Sequence, residues 1–130
     1  MSPSVSETTL LLSSAPCFVV EGVVRTAEHY RDKLGFTIEH YEGRPPRRAR
    51  LTRGAVRIDL QLSEAAPPGP NRDFVTDGVD LRIEVDDAQA LYHELVERDA
   101  NVITEPTAGL GPRQFRVRDC NGLVLCFVEG

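Results

Sequence analysis

The sequence predicts an α+β fold built from two βαβββ modules in tandem, with a cleft between their facing sheets. Residues Ala15 to Gly22 match Asp80 to Asp87 in pattern, at an offset of 65 positions. Each segment is a short alternating strand followed by about eleven residues with helical spacing of apolar side chains. A stretch rich in proline and glycine separates the two copies. A repeat of this length predicts two open sheets, and the cleft between them is a common place for small-molecule chemistry.

The predicted organisation has four parts. Residues 1–12 form a loose tail rich in serine and threonine, and residues 13–64 form the first module. Residues 65–77 form a linker, because prolines lack the amide donor that a sheet requires. Residues 78–130 form the second module.

The elements follow from periodicity and from turn residues. In the first module Gly35 ends the predicted helix and Gly54 turns a hairpin. In the second module the Asn121-Gly122 pair is the strongest hairpin signal of the chain. The predicted strands of the first module are Ser14–Val20, Phe36–Tyr41, Ala49–Arg53 and Val56–Leu62, with a helix over Val24–Leu34. Those of the second are Val79–Val85, Val102–Thr104, Gln114–Arg118 and Leu123–Val128, with a helix over Ala88–Arg98.

Composition limits the classes of function. The chain has 130 residues, 41% of them apolar, and a net charge of -5, which predicts a folded core and argues against nucleic-acid and anionic-membrane partners. Three cysteines with no secretion signal favour a reducing cytoplasm over a disulfide framework. The apolar run Leu10-Leu11-Leu12 is too short to span a membrane.

Two segments carry a family resemblance. The stretch from Glu21 to Phe36 resembles the entry signature of the vicinal oxygen chelate superfamily, which includes glyoxalase I, extradiol dioxygenases and the fosfomycin- and bleomycin-resistance proteins. The stretch from Phe115 to Phe127 resembles the last hairpin of that superfamily, with Cys120 in place of a common proline. The pattern is most similar to the bleomycin-resistance branch. The resemblance implies paired βαβββ modules whose curved sheets enclose a cavity, usually in a homodimer.

The resemblance also implies four positions where enzymes of the superfamily hold a divalent metal. They fall on Ala15, Asp59, Asp80 and Cys126. Alanine has no donor atom, and a cysteine thiolate is a soft ligand poorly matched to two hard carboxylates. We therefore expect no metal or other cofactor, although two aspartates could still hold a hard cation with several waters.

Strand alternation predicts which side chains line the cleft. The apolar residues of Val56–Leu62 and Val79–Val85 face the helix layer, so the polar residues between them face the concave side. The predicted ligand-binding cleft consists of Asp59, Gln61, Asp80, Arg82, Glu84, Arg116 and Cys126. Simple solvent exposure explains the same alternation equally well.

Two further features have competing interpretations. The basic run from Arg44 to Arg57 could clamp carboxylates or phosphates, but such a run is more often a solvated loop or an ion-pair network. Cys126 could be a reactive thiol if Arg82 or Arg116 lowered its pKa, but a buried cysteine is more often a small apolar filler. Cys120 is expected to expose an oxidisable thiol.

Two functional hypotheses, from different classes, remain. In the first, the protein is metal-free and binds a small organic molecule, an antibiotic or a metabolite, in paired clefts of a homodimer; an acidic cleft would suit a cationic ligand. In the second, it is a lyase, isomerase or dioxygenase with a reduced metal site of Asp59 and Asp80. A metal-free enzyme with Asp59, Asp80 or Glu84 as general base is a third possibility. The incomplete ligand set favours the first.

Overall fold

The computed structural model describes residues 9–67, 69–107, 109 and 111–130. Residues 1–8 of the predicted tail lie outside this part of the chain, and residues 9–12 are exposed and belong to no helix or strand. No helix in the described ranges is long and apolar enough to cross a bilayer.

The first module is a four-stranded sheet with one helix. Its strand order is β1-β4-β3-β2, in which β1 runs parallel to β4 and the other neighbours are antiparallel. Its elements are β1 (Cys17–Val20), α1 (Val23–Leu34), β2 (Thr37–Glu42), β3 (Arg48–Arg53) and β4 (Val56–Leu62).

The second module repeats this arrangement. Its strand order is β5-β8-β7-β6, and β5 again runs parallel to β8. Its elements are β5 (Leu81–Val85), α2 (Ala88–Glu97), β6 (Asn101–Thr104), β7 (Gln114–Arg118) and β8 (Val124–Glu129). The identical order and sense of the strands confirm the predicted tandem α+β architecture.

Most predicted boundaries agree with the structure to within one or two residues, and the strand that opens each module is the main difference. β1 begins at Cys17 rather than Ser14, and β5 begins at Leu81 rather than Val79. Pro16 precedes β1 and has no amide to donate, so only its carbonyl continues the pairing, as the acceptor from the Asp59 amide at 2.9 Å.

The ends of the helices have clear local causes. Gly35 ends α1 with φ of 74°, a left-handed conformation that glycine adopts without strain. Asp87 begins α2, because its side chain accepts a hydrogen bond from the Ala90 amide at 3.0 Å. The turn between β7 and β8 likewise places Gly122 at φ of 84°, as the Asn-Gly pair predicts.

One hydrophobic core joins the two modules. Tyr30, Leu51 and Leu60 of the first module belong to the same buried cluster as Leu95 and Phe115 of the second. Polar contacts cross the same boundary, with Tyr30 bonded to Asp119 of the β7–β8 turn and Arg53 of β3 bonded to Glu94 of α2. The helix-covered sides of both sheets therefore contribute to a shared interior, while the opposite sides are not covered by a helix.

Candidate functional site

The first sheet presents a polar surface on the side away from its helix, which we call the first polar face. Buried Ile58 and Leu60 of β4 point into the core, so the residues that alternate with them point the other way. Strand register aligns these outward residues in two cross-strand rows. One row is Cys17, Asp59, Arg50 and His40, and the next is Val19, Gln61, Arg48 and Glu42.

Asp59 and Gln61, both predicted as site residues, lie together in a small pocket on this face. Arg50 Nε donates to Asp59 Oδ1 at 3.3 Å, and Cys17 Sγ lies 3.9 Å from Gln61 Oε1. The pocket has a volume of about 130 Å³. It is lined by Cys17, His40, Glu42, Arg48, Ala49, Arg50, Asp59, Leu60 and Gln61. This volume is below the several hundred cubic ångströms that usually enclose a drug-sized ligand, so the pocket fits one chemical group of a larger molecule.

The structure divides the basic run by strand alternation. Arg48 and Arg50 lie on the first polar face, whereas the side chain of Arg53, the last residue of β3, lies on the opposite side and pairs with Glu94 at 2.7 Å. Arg47 pairs with Glu64 at 3.4 Å, and Arg44 lies in the turn between β2 and β3. Sequence reasoning did not place Arg48 and Arg50 in the cleft, although they alternate along β3 as Asp59 and Gln61 do along β4.

The second sheet presents an equivalent second polar face. Its central row consists of Arg82, Cys126, Arg116 and Thr104, and a neighbouring row contains Glu84, Val128 and Gln114. The structure thus brings Arg82, Arg116 and Cys126 together, as strand alternation predicts. The central row carries two guanidinium groups and no carboxylate, so the expected acidic character does not extend to it.

Cys126 is buried between its two arginine neighbours. Its exposed fraction is 1%, and its Sγ lies 3.4 Å from Gln114 Oε1. Arg116 is turned toward the linker, where its Nη1 donates to the Asp77 carbonyl at 3.3 Å. This burial favours the filler interpretation of Cys126 over a reactive thiol.

Asp80 has a structural role, because its side chain joins the linker to the second module. Its two carboxylate oxygens accept hydrogen bonds from the backbone amides of Asn71 and Val124, both at 2.8 Å. These bonds attach the linker to the beginning of β8. Both carboxylate oxygens of Asp80 are therefore engaged by backbone amides, and a metal ion would have to compete with these two hydrogen bonds.

The four positions implied for a metal do not form a suitable donor set. Ala15 offers no donor, Cys126 is buried, Asp80 is bonded to two amides and Asp59 is paired with Arg50. Within the described ranges no group of three or more His, Cys, Asp or Glu side chains is arranged to hold a metal ion. A catalytic site normally needs three or four such donors, so the residues present do not fit one.

A larger cavity, the inter-module groove, lies away from both of the central rows. It has a volume of about 730 Å³ and runs between the β3–β4 hairpin of the first module and β5 and α2 of the second. Glu84 is the one predicted cleft residue that lines it. Sequence patterns did not indicate this groove, because it depends on how the two modules pack.

Burial and ion pairs shift several pKa values near the module boundary. Hydrogen bonding from Arg53 lowers the pKa of Glu94, and burial raises the pKa of Tyr30 well above its ordinary value. Burial, followed by the nearby charge of Asp119, raises the pKa of the Cys120 thiol. Half-buried Cys120 is therefore held protonated, contrary to the expectation of an exposed, oxidisable thiol.

With this geometry in place, comparison with known proteins identifies the family. Residues 15–127 match the model of the Glyoxalase/Bleomycin resistance protein/Dioxygenase superfamily. The chain belongs to this superfamily. None of the curated proteins matches it significantly in sequence.

Several solved structures share the fold. The bleomycin-binding protein of bleomycin-producing Streptomyces verticillus, complexed with copper(II)-bleomycin, is 21% identical with a TM-score of 0.71, over 95% of this chain and 99% of that one. TioX from Micromonospora sp. ML1 is 15% identical with a TM-score of 0.72, over 91% and 98% of the two chains. TnmS3, an antibiotic binding protein from Streptomyces sp. CB03234, is 19% identical with a TM-score of 0.69, over 94% and 98%. At these identities the likeness establishes the fold.

Proposed function

We propose that this protein binds a small organic molecule, an antibiotic or a metabolite, on its polar faces without a metal ion. The main observation behind the proposal is that the four implied metal positions lack free ligands. Ala15 has no donor atom and the Cys126 thiol is buried. The Asp80 carboxylate accepts hydrogen bonds from backbone amides, and the Asp59 carboxylate is paired with Arg50. What remains on the faces is a dense array of hydrogen-bonding groups, which suits recognition of an organic ligand better than activation of a metal-bound water.

Unsatisfied donors support a bound partner on these faces. Arg57 and Arg118 each have a buried Nε atom with no hydrogen-bond partner within the described structure. Register places Arg57 on the first polar face and Arg118 on the second. Since a buried donor without a partner costs free energy, an acceptor on a ligand or a water molecule would satisfy each of them.

The shallow pocket also supports a homodimer. A volume of about 130 Å³ encloses one group of a ligand, so the rest of the molecule needs a second wall. A second copy of the chain would supply that wall by setting its own polar face opposite the first. In a dimer with a twofold axis each such contact occurs twice, so the dimer would contain two equivalent sites.

The likeness to the bleomycin-binding protein and to TnmS3 adds weight to an antibiotic as the ligand. We also place the protein in the cytoplasm, and the free state of its three cysteines supports a reducing compartment. Cell fractionation would test this location.

The test of the function is a thermal-shift screen of the purified protein with metal-free bleomycin, copper(II)-bleomycin and a panel of other antibiotics and metabolites. We expect stabilisation by at least one organic compound. Arg50→Gln and Asp59→Asn should reduce that shift, whereas Glu28→Gln on α1, remote from both faces, should not. Multi-angle light scattering should give twice the mass of 14.4 kDa.

Elemental analysis separates this proposal from the metalloenzyme alternative. A stoichiometric divalent metal in freshly purified protein, lost in Asp59→Ala with Asp80→Ala, would overturn the metal-free proposal. Stabilisation by Mn²⁺, Ni²⁺, Zn²⁺ or Fe²⁺ that depends on these two residues would do the same. A monomeric mass at ligand-binding concentration would contradict the shared site.

A further inference from the structure

The inter-module groove combines an apolar interior with an acidic margin. Its apolar wall contains Phe36 and Val56 from the first module and Ile83, Leu91 and Phe127 from the second. Val56 and Leu91 are only partly buried, so apolar surface remains accessible in the groove. A volume of about 730 Å³ lies within the usual range for pockets that enclose drug-sized molecules.

The charges on the margin are unbalanced. Glu84, Asp86, Asp87 and Glu94 are the acidic residues of the groove, and Arg53 is its basic residue. Arg53 donates two hydrogen bonds to Glu94, at 2.7 and 2.8 Å, and one to the Leu34 carbonyl, while Glu94 also pairs with Arg98 at 2.9 Å. Glu84, Asp86 and Asp87 have no ion-pair partner among the described side chains. Asp86 and Asp87 therefore border the apolar groove without compensating cations, and Asp87 also accepts a hydrogen bond from the Ala90 amide. Glu84 lines the groove from the edge strand β5, but its side chain alternates with buried Ile83 and belongs to the second polar face.

We propose that this groove is a second ligand site, separate from the polar faces, and that it takes an amphipathic organic cation with an aromatic or aliphatic body and a protonated amine. The body lies against the apolar wall and gains free energy by leaving water. The amine lies at the margin near Asp86, where low-dielectric walls strengthen its attraction to the carboxylates. This site does not depend on the function proposed for the polar faces.

The test uses three probes of one shape. We would titrate the full-length protein with 2-naphthylmethylammonium, neutral 2-naphthylmethanol and anionic 2-naphthylacetate, and follow backbone amides by ¹H–¹⁵N NMR. The expected result is perturbation of the Val56, Ala90 and Leu91 amides, with the cation binding several-fold more tightly than the alcohol and the anion more weakly than both. Salt should reduce the preference for the cation, because the margin is exposed to solvent.

Two variants with matched controls locate the site. Ala90 is exposed on α2 and lines the groove, so Ala90→Phe should fill it and weaken the cation at least tenfold. Asp86→Asn should weaken the cation about threefold and leave the alcohol unchanged. Glu97→Phe and Glu97→Gln, at an exposed position of the same helix outside the groove, should have neither effect.

Three results would overturn the proposal. Equal affinity for the three probes would remove the role of the carboxylates. Perturbation confined to the polar faces, reduced by Arg50→Gln rather than by Ala90→Phe, would assign the probe to the other site. Shifts of the groove amides without any probe, on dilution or in a variant with Leu10, Leu11 and Leu12 changed to serine, would show that protein segments already cover the groove.

Discussion

The hydroxyl of Tyr30 on α1 donates a hydrogen bond to Asp119 Oδ2 in the β7–β8 turn, at 2.6 Å, across the boundary between the modules. Both residues are buried, with exposed fractions of 0% and 5%. The other carboxylate oxygen of Asp119 accepts from the backbone amides of Asn121 and Leu123. One carboxylate therefore organises the last hairpin and fixes it to the first helix.

Removing this hydroxyl should destabilise the protein. We expect Tyr30→Phe to lower the free energy of unfolding by about 1.5–3 kcal/mol, because it deletes a buried hydrogen bond to a carboxylate while keeping the ring. Urea unfolding followed by circular dichroism measures the change. Tyr41→Phe serves as the control, because Tyr41 is 38% exposed. Removing its hydroxyl should change the free energy of unfolding by less than about 0.5 kcal/mol. Equal effects of the two variants would show that the buried bond is not stabilising.

The same residue should make the fold sensitive to alkali. Burial and the Asp119 carboxylate raise the pKa of Tyr30 well above its ordinary value, so the folded state keeps a proton that the unfolded state loses. This contribution to stability is fully present below the unfolded pKa of about 10 and is lost as the pH rises toward the folded pKa. The free energy of unfolding should fall above about pH 10. Tyr30→Phe should flatten that slope and Tyr92→Phe should not, and an unchanged slope in Tyr30→Phe would contradict the assignment.

The ion pairs of Glu94 with Arg53 and Arg98 should contribute stability that acid removes. Hydrogen bonding from Arg53 lowers the pKa of Glu94, so the contribution is present above the unfolded pKa and is lost as the pH falls through the folded pKa. Because the Glu94 side chain is 36% exposed, solvent screening limits the expected cost of Glu94→Gln at pH 7 to about 1 kcal/mol or less.

This cost should begin to shrink as the pH falls below the ordinary glutamate pKa of about 4.3, and it should vanish once the pH falls below the lowered pKa of Glu94 in the folded state. Chemical unfolding across a pH series measures it. Glu97→Gln, at an exposed position of the same helix, serves as the control, and a cost of Glu94→Gln that does not vary with pH would show that these ion pairs are not its source.

The conformation of Gly35 should make it hard to replace. A Cβ at this position would need φ of 74° and would collide with Arg53 Nη1, the atom that also donates to the Leu34 carbonyl at 2.9 Å. We expect Gly35→Ala to cost more than the roughly 1 kcal/mol of a left-handed alanine, since the Arg53–Glu94 pair must also move.

Gly54 provides a matched control for Gly35. Its φ is 58°, but a Cβ there would meet no heavy atom within 4 Å. Gly54→Ala should therefore show the conformational cost alone. If thermal unfolding gave the same loss for both variants, crowding by Arg53 would not be the reason.

The three cysteines should react at very different rates with a thiol reagent. Cys17 is exposed on the first polar face, Cys120 is half-buried with a raised pKa, and Cys126 is buried. In the native protein near pH 7.5 we expect rapid labelling of Cys17, slow labelling of Cys120 and labelling of Cys126 only after unfolding. Peptide mass mapping of timed samples measures the order, and early labelling of Cys126 would refute its assignment as a filler.

The sequence could predict the architecture because the relevant signals are local. The strand alternation of β4 and the Asn121-Gly122 turn each depend on neighbouring residues, so their positions agree closely with the structure. The beginning of β5 was less predictable. Asp80 there satisfies amides of Asn71 and Val124, and that contact exists only once the linker has folded back.

The candidate site was predicted in part for the same reason. Strand alternation correctly predicts the face on which Asp59 and Gln61 lie. Arg48 and Arg50, in contrast, are interpreted from the sequence only as members of a basic run, because they are close to other arginines in the sequence. Only strand pairing shows that these two arginines share the pocket of Asp59. The inter-module groove could not be predicted, because it depends on how the two modules pack against each other. An apolar stripe predicts that a helix face is buried but not which element covers it.

The equivalent central rows of the two sheets differ in charge balance. In the first row Asp59 compensates Arg50, whereas in the second the corresponding Cys126 supplies no carboxylate between Arg82 and Arg116. The two modules thus share their strand order but differ in the charge of their central rows. A ligand that contacts both rows at once would therefore meet a nearly neutral first row and a cationic second row. Such a ligand would match the two rows best if its negative charge or its hydrogen-bond acceptors were concentrated at one end.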